Sequence, residues 1–215
     1  MKKMFVLAAV LAGAVLFTSC DSLIQDLVSG FTGKAKSIIG STENGNTPLE
    51  HEYTSSVIVF DTTNSPKYAV SLSMVMGIEE LLKISSEDEI RFPFLLYRLV
   101  GDSIKEGVTF MVNNTLTNED LKDFDYESLI SGDLAENQLV GIAVSPTLFY
   151  VMHEGKITLS EVTDKKVTGT FTGTAYVIDL DASPLLSDDL VPLSGDFSSR
   201  VTDLMSWLLS KSENV

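Results

Sequence analysis

The chain has one cysteine, Cys20, one tryptophan and two histidines, His51 and His153, among 215 residues. A single thiol excludes an internal disulfide and any cysteine-built metal cluster. No His-x-x-x-His pair is present to hold zinc. The Gly-x-Ser-x-Gly nucleophile elbow, the glycine-rich phosphate loop and the dinucleotide fingerprint are all missing. Positive charge is scarce too: 15 Lys and Arg stand against 30 Asp and Glu, a formal net charge of −15. Such a surface repels phosphate backbones and anionic headgroups, so nucleic-acid binding and polybasic contact with lipid are both disfavoured.

Long apolar runs are also lacking, with one exception at the start. Lys2 and Lys3 precede an uncharged stretch from Met4 to Phe17, followed by Thr18, Ser19 and Cys20. A charged start, a short apolar run and a small-residue exit are the layout of a secretory signal. A spanning helix needs roughly 20 apolar residues, and this run is shorter.

Phe17-Thr18-Ser19-Cys20 resembles the lipobox of bacterial lipoproteins, in the looser form of Bacteroidetes and spirochaetes. Phe17 stands where that family usually has Leu. The resemblance covers residues 1–20. It implies cleavage before Cys20, diacylglycerol on its thiol, acylation of the new amine as a further step, and fatty chains such as palmitate holding the protein at a membrane. It implies a signal peptide at 1–19 and no free thiol thereafter. Loss of Lys2 and Lys3 takes the charge from −15 to −17. The lipid would then be the whole membrane attachment.

Behind Cys20 the expected organisation is a short helix or tether over Asp21–Ile39, a polar linker over Ser41–Glu50, and a β-rich domain over 51–215. Strand signals fall at Tyr53–Phe60, Tyr68–Met76, Ile90–Val100, Val108–Val112, Gln138–Val144, Leu148–His153 and Lys156–Leu180. A last strand is expected at Val191–Phe197. In Tyr68–Met76 the even residues Tyr68, Val70, Leu72, Met74 and Met76 are read as the buried face. Pro93 suggests an edge strand. Glu154-Gly155 and Thr163-Asp164-Lys165 are read as turns. Val167, Gly169, Phe171, Gly173, Ala175 and Val177 share one face and Thr168, Thr170, Thr172 and Thr174 the other, on one long strand or two joined at a bulge near Gly173. Gly77–Ile84 reads as a helical turn or a bulge, and further helical signals are a short helix at Leu121–Ile130 after Thr117 and a C-terminal helix over Ser198–Lys211. The fold expected is mainly β, a β-sandwich or barrel with a few short helices and a C-terminal helix. The stretch KITLSEVTDKKVTGTFTGTAYVIDLD resembles a hairpin of Bacteroidetes lipoproteins whose domains look like β-sandwiches without known catalysis.

Few residues signal chemistry. His51 and His153 read as ordinary polar side chains. Asp179 and Asp181 begin like an EF-hand loop, but Pro184 and Leu190 occupy the positions that need Gly and Glu. A calcium site built from Asp179, Asp181, Asp188 and Asp189 is the remaining metal option, and Asp123-Phe-Asp125-Tyr-Glu127 also lacks the glycine. The Thr-x-Thr face of Thr168–Thr174 resembles ice-binding surfaces, without the repeat those require. Asp61-Thr62-Thr63 and Asp102-Ser103-Ile104 resemble the Bacteroidetes O-glycosylation triplet. The expected protein is a lipid-anchored envelope lipoprotein. Its β-rich domain is non-catalytic and binds or scaffolds a protein, glycan or small ligand at either membrane, facing periplasm or exterior. No catalytic residue, metal or cofactor is assigned. The alternatives are a lipid-anchored hydrolase of envelope polymers or glycans, and a carrier of a hydrophobic ligand.

Overall fold

The computed structural model describes residues 33–40, 47–60, 68–74, 93–101, 104–121 and 138–201. These residues form nine strands: β1 (Gly33–Ile39), β2 (Leu49–Phe60), β3 (Tyr68–Met74), β4 (Phe94–Val100), β5 (Thr109–Asn113), β6 (Leu139–Ala143), β7 (Leu148–Val162), β8 (Lys166–Asp179) and β9 (Val191–Val201). All nine belong to one sheet. The sheet curls on itself, because the hydrogen-bonded order β7-β6-β4-β3-β2-β1-β9-β8 returns to its start through a β7–β8 ladder. β5 lies on the same edge of β7 as β6, further along the strand. The architecture of the described residues is therefore mainly β, a single curled, barrel-like sheet.

Alternation selects the inner face. On β1, Ala35, Ser37 and Ile39 are buried while Lys34 and Lys36 point outward. On β8, Val167, Phe171 and Ala175 point in and the threonines out. The interior is filled by side chains from every strand of the circuit, among them Tyr97, Leu95, Leu99, Met152, Ile157, Phe171 and Phe197. A circuit of eight strands is about wide enough for side chains to fill. Strands β4 and β6 are buried on both faces, which explains their nearly continuous apolar text, FLLYRLV and LVGIA, interrupted by the buried Arg98. Their outer face forms a second core with Phe149, Val151 and Ile178, over which Leu116, Leu121, Leu180, Leu185 and Leu186 pack. Each such side chain, fully buried, contributes about 1.5–3 kcal/mol.

Several sequence expectations are corrected. Gly33–Ile39 is strand and not helix or tether, so the sheet starts ahead of His51. Its small, alternating side chains suit a pleat, and it is hydrogen-bonded on both sides, to β2 and β9. Ser198–Val201 continues β9 rather than opening a helix, held by Lys166–Arg200 pairing on β8. At Thr117–Asp120, read as a helix start, the Asp120 carboxylate accepts from the Thr117 amide and hydroxyl at 2.7 Å each, and the Asp120 amide lies 3.4 Å from Thr117 Oγ1, the reciprocal pattern of a capping box. The helical expectations over 77–84, 122–130 and 202–211 lie outside the described residues. Pro93 sits just before β4, a central strand between β3 and β6. On β3 the odd residues Ala69, Ser71 and Ser73 are buried.

Glu154-Gly155 is not a turn. β7 runs through it, with a register irregularity between Met152 and Glu154. Gly155 faces Gly173, and a Cβ on Gly155 would lie 2.9 Å from the Gly173 Cα. The glycines serve close backbone approach here. The turn expected at Thr163–Lys165 is present. There the Thr163 amide donates to the Lys166 carbonyl at 2.8 Å, closing the β7–β8 hairpin.

Candidate functional site

The most concentrated polar feature lies inside the barrel. Ser55 of β2, Ser71 and Ser73 of β3, Tyr97 of β4 and Ser199 of β9 are all buried. The Tyr97 hydroxyl donates to Ser199 Oγ at 2.7 Å, and Ser199 Oγ lies 2.6 Å from Ser55 Oγ. Ser73 donates to Ser55 at 2.7 Å, and Ser71 lies 3.0 Å from Ser73 and 3.3 Å from Ser55. Nearby, Ser37 Oγ and the Tyr53 hydroxyl are 2.9 Å apart. Burial pushes Tyr53 up to about 12 and Tyr97 higher still, so both phenols stay neutral. Among the described residues, the hydroxyls of this cluster bond to one another. The cluster joins strands distant in sequence and specifies how the barrel closes. Sequence reasoning passed over it. Its only trace was serine at inward positions of Tyr53–Val57 and Ala69–Ser73.

The two histidines have separate surroundings. His51 opens the inward row of β2, opposite Ser37 and 6.2 Å from the Tyr53 ring. Its Nε2 is buried without a hydrogen-bond partner, and burial lowers its pKa. His153 sits at the β7 irregularity. Its Nδ1 is 2.8 Å from the Asn114 carbonyl, its ring is 4.7 Å from Tyr176, and its Nε2 is 3.8 Å from Glu154. Asn114, buried, donates from Nδ2 to the carbonyls of Met152 at 3.0 Å and Gln138 at 3.3 Å. Asn114 thus splices the end of β5 to β6 and β7, and His153 is committed to that splice.

Among the described residues, no group of three or more His, Cys, Asp or Glu is placed to hold an ion. Asp179 Oδ1 instead accepts from the Asp181 amide at 3.0 Å, an Asx turn that shapes the β8–β9 connection. The calcium expectation for Asp179, Asp181, Asp188 and Asp189 is therefore withdrawn. Asp123–Glu127, Asp61–Thr63, Asp102-Ser103 and Cys20 lie outside the described residues.

The outer face over β5, β7, β8, β9, β1 and β2 is polar. Thr109, Thr158 and Thr170 stand in one cross-strand row, with 3.2 Å between the first two hydroxyls. The same row continues through Asp196, Lys36 and Glu52, so charge interrupts the threonine surface. An open groove of about 380 Å³ crosses β2, β1 and β9, lined by Lys34, Lys36, Glu52, Thr54 and Asp196. Lys36 is bridged to Glu50 at 2.7 Å. Met111 projects from β5, 69% exposed.

No family model matches this chain, and neither does any curated protein or solved structure.

Proposed function

We propose that this chain is a cell-envelope lipoprotein, anchored through Cys20, whose barrel-like body acts as a non-catalytic binding or scaffolding module. The anchor rests on the lipobox resemblance at Phe17–Cys20 and the charged, apolar and small-residue layout ahead of it. The non-catalytic reading is carried by one observation: the buried hydroxyls of Ser55, Ser71, Ser73, Ser199 and Tyr97 are spent on each other. A packed interior of Phe171, Phe197, Tyr97 and Met152 argues against a lipid-filled calyx and for use of the outer surface. Protein or glycan contact suits the mixed-charge face over β2, β1 and β9, where Lys34, Lys36, Glu52 and Asp196 meet Thr54.

Cys20→Ala tests the anchor. The wild-type chain is expected in the membrane fraction after a carbonate wash, and the variant in the soluble fraction. A variant that stays with the membrane overturns the anchor. Turnover of peptidoglycan or envelope glycans by the purified protein would overturn the non-catalytic reading.

A further inference from the structure

We propose that β5 is a flap: the segment Gly107–Asn114 leaves the edge of β7 as one unit while the rest of the barrel stays closed. Among the nine described strands, β5 alone has a single ladder neighbour. It is five residues long and its outer face is bare, with Thr109 and Asn113 exposed and Met111 69% exposed. The Leu159 amide donates to the Val108 carbonyl at 2.9 Å, and the Asn114 amide to the His153 carbonyl at 2.8 Å. Even-numbered residues therefore bond to β7, and the backbone groups of Thr109, Met111 and Asn113 point away from it.

Toward β4, side chains stand in for a ladder. β4 pairs with β6 from Phe94 to Arg98. At Val100 the Gln138 carboxamide takes the place of a strand. Its Oε1 accepts from the Val100 amide at 2.8 Å, and its Nε2 donates to the Val100 carbonyl. Gly101 leaves room for the Phe110 ring, which lies 3.1 Å from where a Cβ at 101 would stand. Asn114 Nδ2 fastens the end of the segment to the carbonyls of Met152 and Gln138. Among the described residues, β4 and β5 share no ladder. Behind β5 lies the barrel interior, where Phe110 and Val112 join the core with Ile157 and Met152.

Three features lower the cost of opening. Asn114 Oδ1 is buried with no hydrogen-bond partner among the described residues, a penalty of the closed state that water removes when the segment departs. Gly107 adopts φ +80°, with nothing within 4 Å of where a Cβ would stand, and so forms a free joint at one end. Ile104 and Leu121, buried in the two cores, anchor the chain on either side. The circuit of strands through β6 does not use β5 and keeps its ladders when β5 leaves. Opening bares the edge of β7 from Glu154 to Thr158 and the apolar side chains beneath it. Units with few fixing contacts open well below the free energy of global unfolding.

Native-state hydrogen exchange of the full chain tests the flap. Two amides report on it: Asn114 at one end of β5, and Leu159 of β7 at the other. Both are expected to exchange through one opening, with a shallow urea dependence because little surface is exposed. Amides of Val167–Ala175, bonded within the circuit, should exchange more slowly and with the steep slope of global unfolding. Tyr97→Phe weakens the circuit and leaves the flap contacts intact. It should speed the β8 amides about tenfold and leave Asn114 and Leu159 unchanged. Asn114→Ala removes both side-chain bonds and should speed Leu159 about tenfold. Leu159 exchanging as slowly as β8, or speeding in step with β8 in Tyr97→Phe, overturns the flap. Asn114 exchanging far faster than Leu159 also overturns it, since that is fraying of one end.

Discussion

Phe197 of β9 lies directly across the ladder from Gly169 of β8, with its ring in the space a side chain at 169 would take. Two residues further along the relation is exchanged, and Phe171 of β8 covers Gly195 of β9. Each glycine lets an aromatic ring from the neighbouring strand lie flat on the backbone, which permits the strong curl of this part of the sheet. A Cβ at 169 would stand 2.6 Å from both Phe197 Cζ and the Thr158 carbonyl. Gly169→Ala is expected to destabilise by about 1–3 kcal/mol through overpacking, and Gly195→Ala comparably. Gly141→Ala, whose Cβ would meet only the Tyr150 carbonyl at 4.0 Å, should be neutral or stabilising by about 0.5 kcal/mol. Urea unfolding of the three variants checks the order. Equal effects at 141 and 169 would refute the packing account.

Tyr97 belongs to the apolar and polar systems at once. Its ring stacks on Phe197 at 4.2 Å while its hydroxyl donates to Ser199. Tyr97→Phe keeps the stack and removes the donor, and is expected to cost about 1–2 kcal/mol. Ser199→Ala breaks the same bond and also the Ser55 contact. The double variant should lose less than the sum of the singles, with a coupling of about 0.5–1.5 kcal/mol. Strict additivity in a double-mutant cycle would show that the network does not act as a unit.

Strand content was legible where side chains alternate against one core. Val167 to Ala175 and the Thr163–Lys165 turn lie where the sequence pattern placed them. β1 was missed because Lys34-Ala35-Lys36-Ser37 has too little apolar weight to announce a strand, and its inward residues are Ala and Ser. The burial of the odd residues of β3 was not legible for a related reason. Ala69, Ser71 and Ser73 are small, and the serines make hydroxyl contacts that appear only when β2, β4 and β9 converge.

Calcium provides a separate check on the acidic β8–β9 connection. A bound ion in excess over its dissociation constant stabilises by about 2.7 kcal/mol at a hundredfold excess, or several degrees in Tm for a chain of this size. Asp179 is engaged by the Asp181 amide, and the neighbouring carboxylates do not converge. Millimolar calcium should therefore move Tm no more than millimolar magnesium, and chelator should leave it unchanged. A calcium-specific rise would mean that Asp179, Asp181, Asp188 and Asp189 gather around an ion.

His51 sets a pH response of defined sign. Its pKa is lowered because burial disfavours the imidazolium, and Nε2 has no partner to offset the loss of water. Ser37 and Tyr53, which line its inward side, are neutral, while Glu50 and Glu52 lie on the outward face of the same strand. In the unfolded chain the ring takes up a proton near pH 6.5, and in the folded chain it does so only at lower pH. The unfolded state thus binds more protons as pH falls below about 6.5, and the folded state loses relative stability. The loss levels off once pH passes the folded pKa. His51→Gln removes this contribution. Denaturation curves for the two proteins should differ by a constant above about pH 7.5, and wild type should fall behind the variant between pH 6.5 and 5. A gap that does not change with pH would mean that the imidazole is solvated in the folded protein and that Ser37 and Tyr53 do not enclose it.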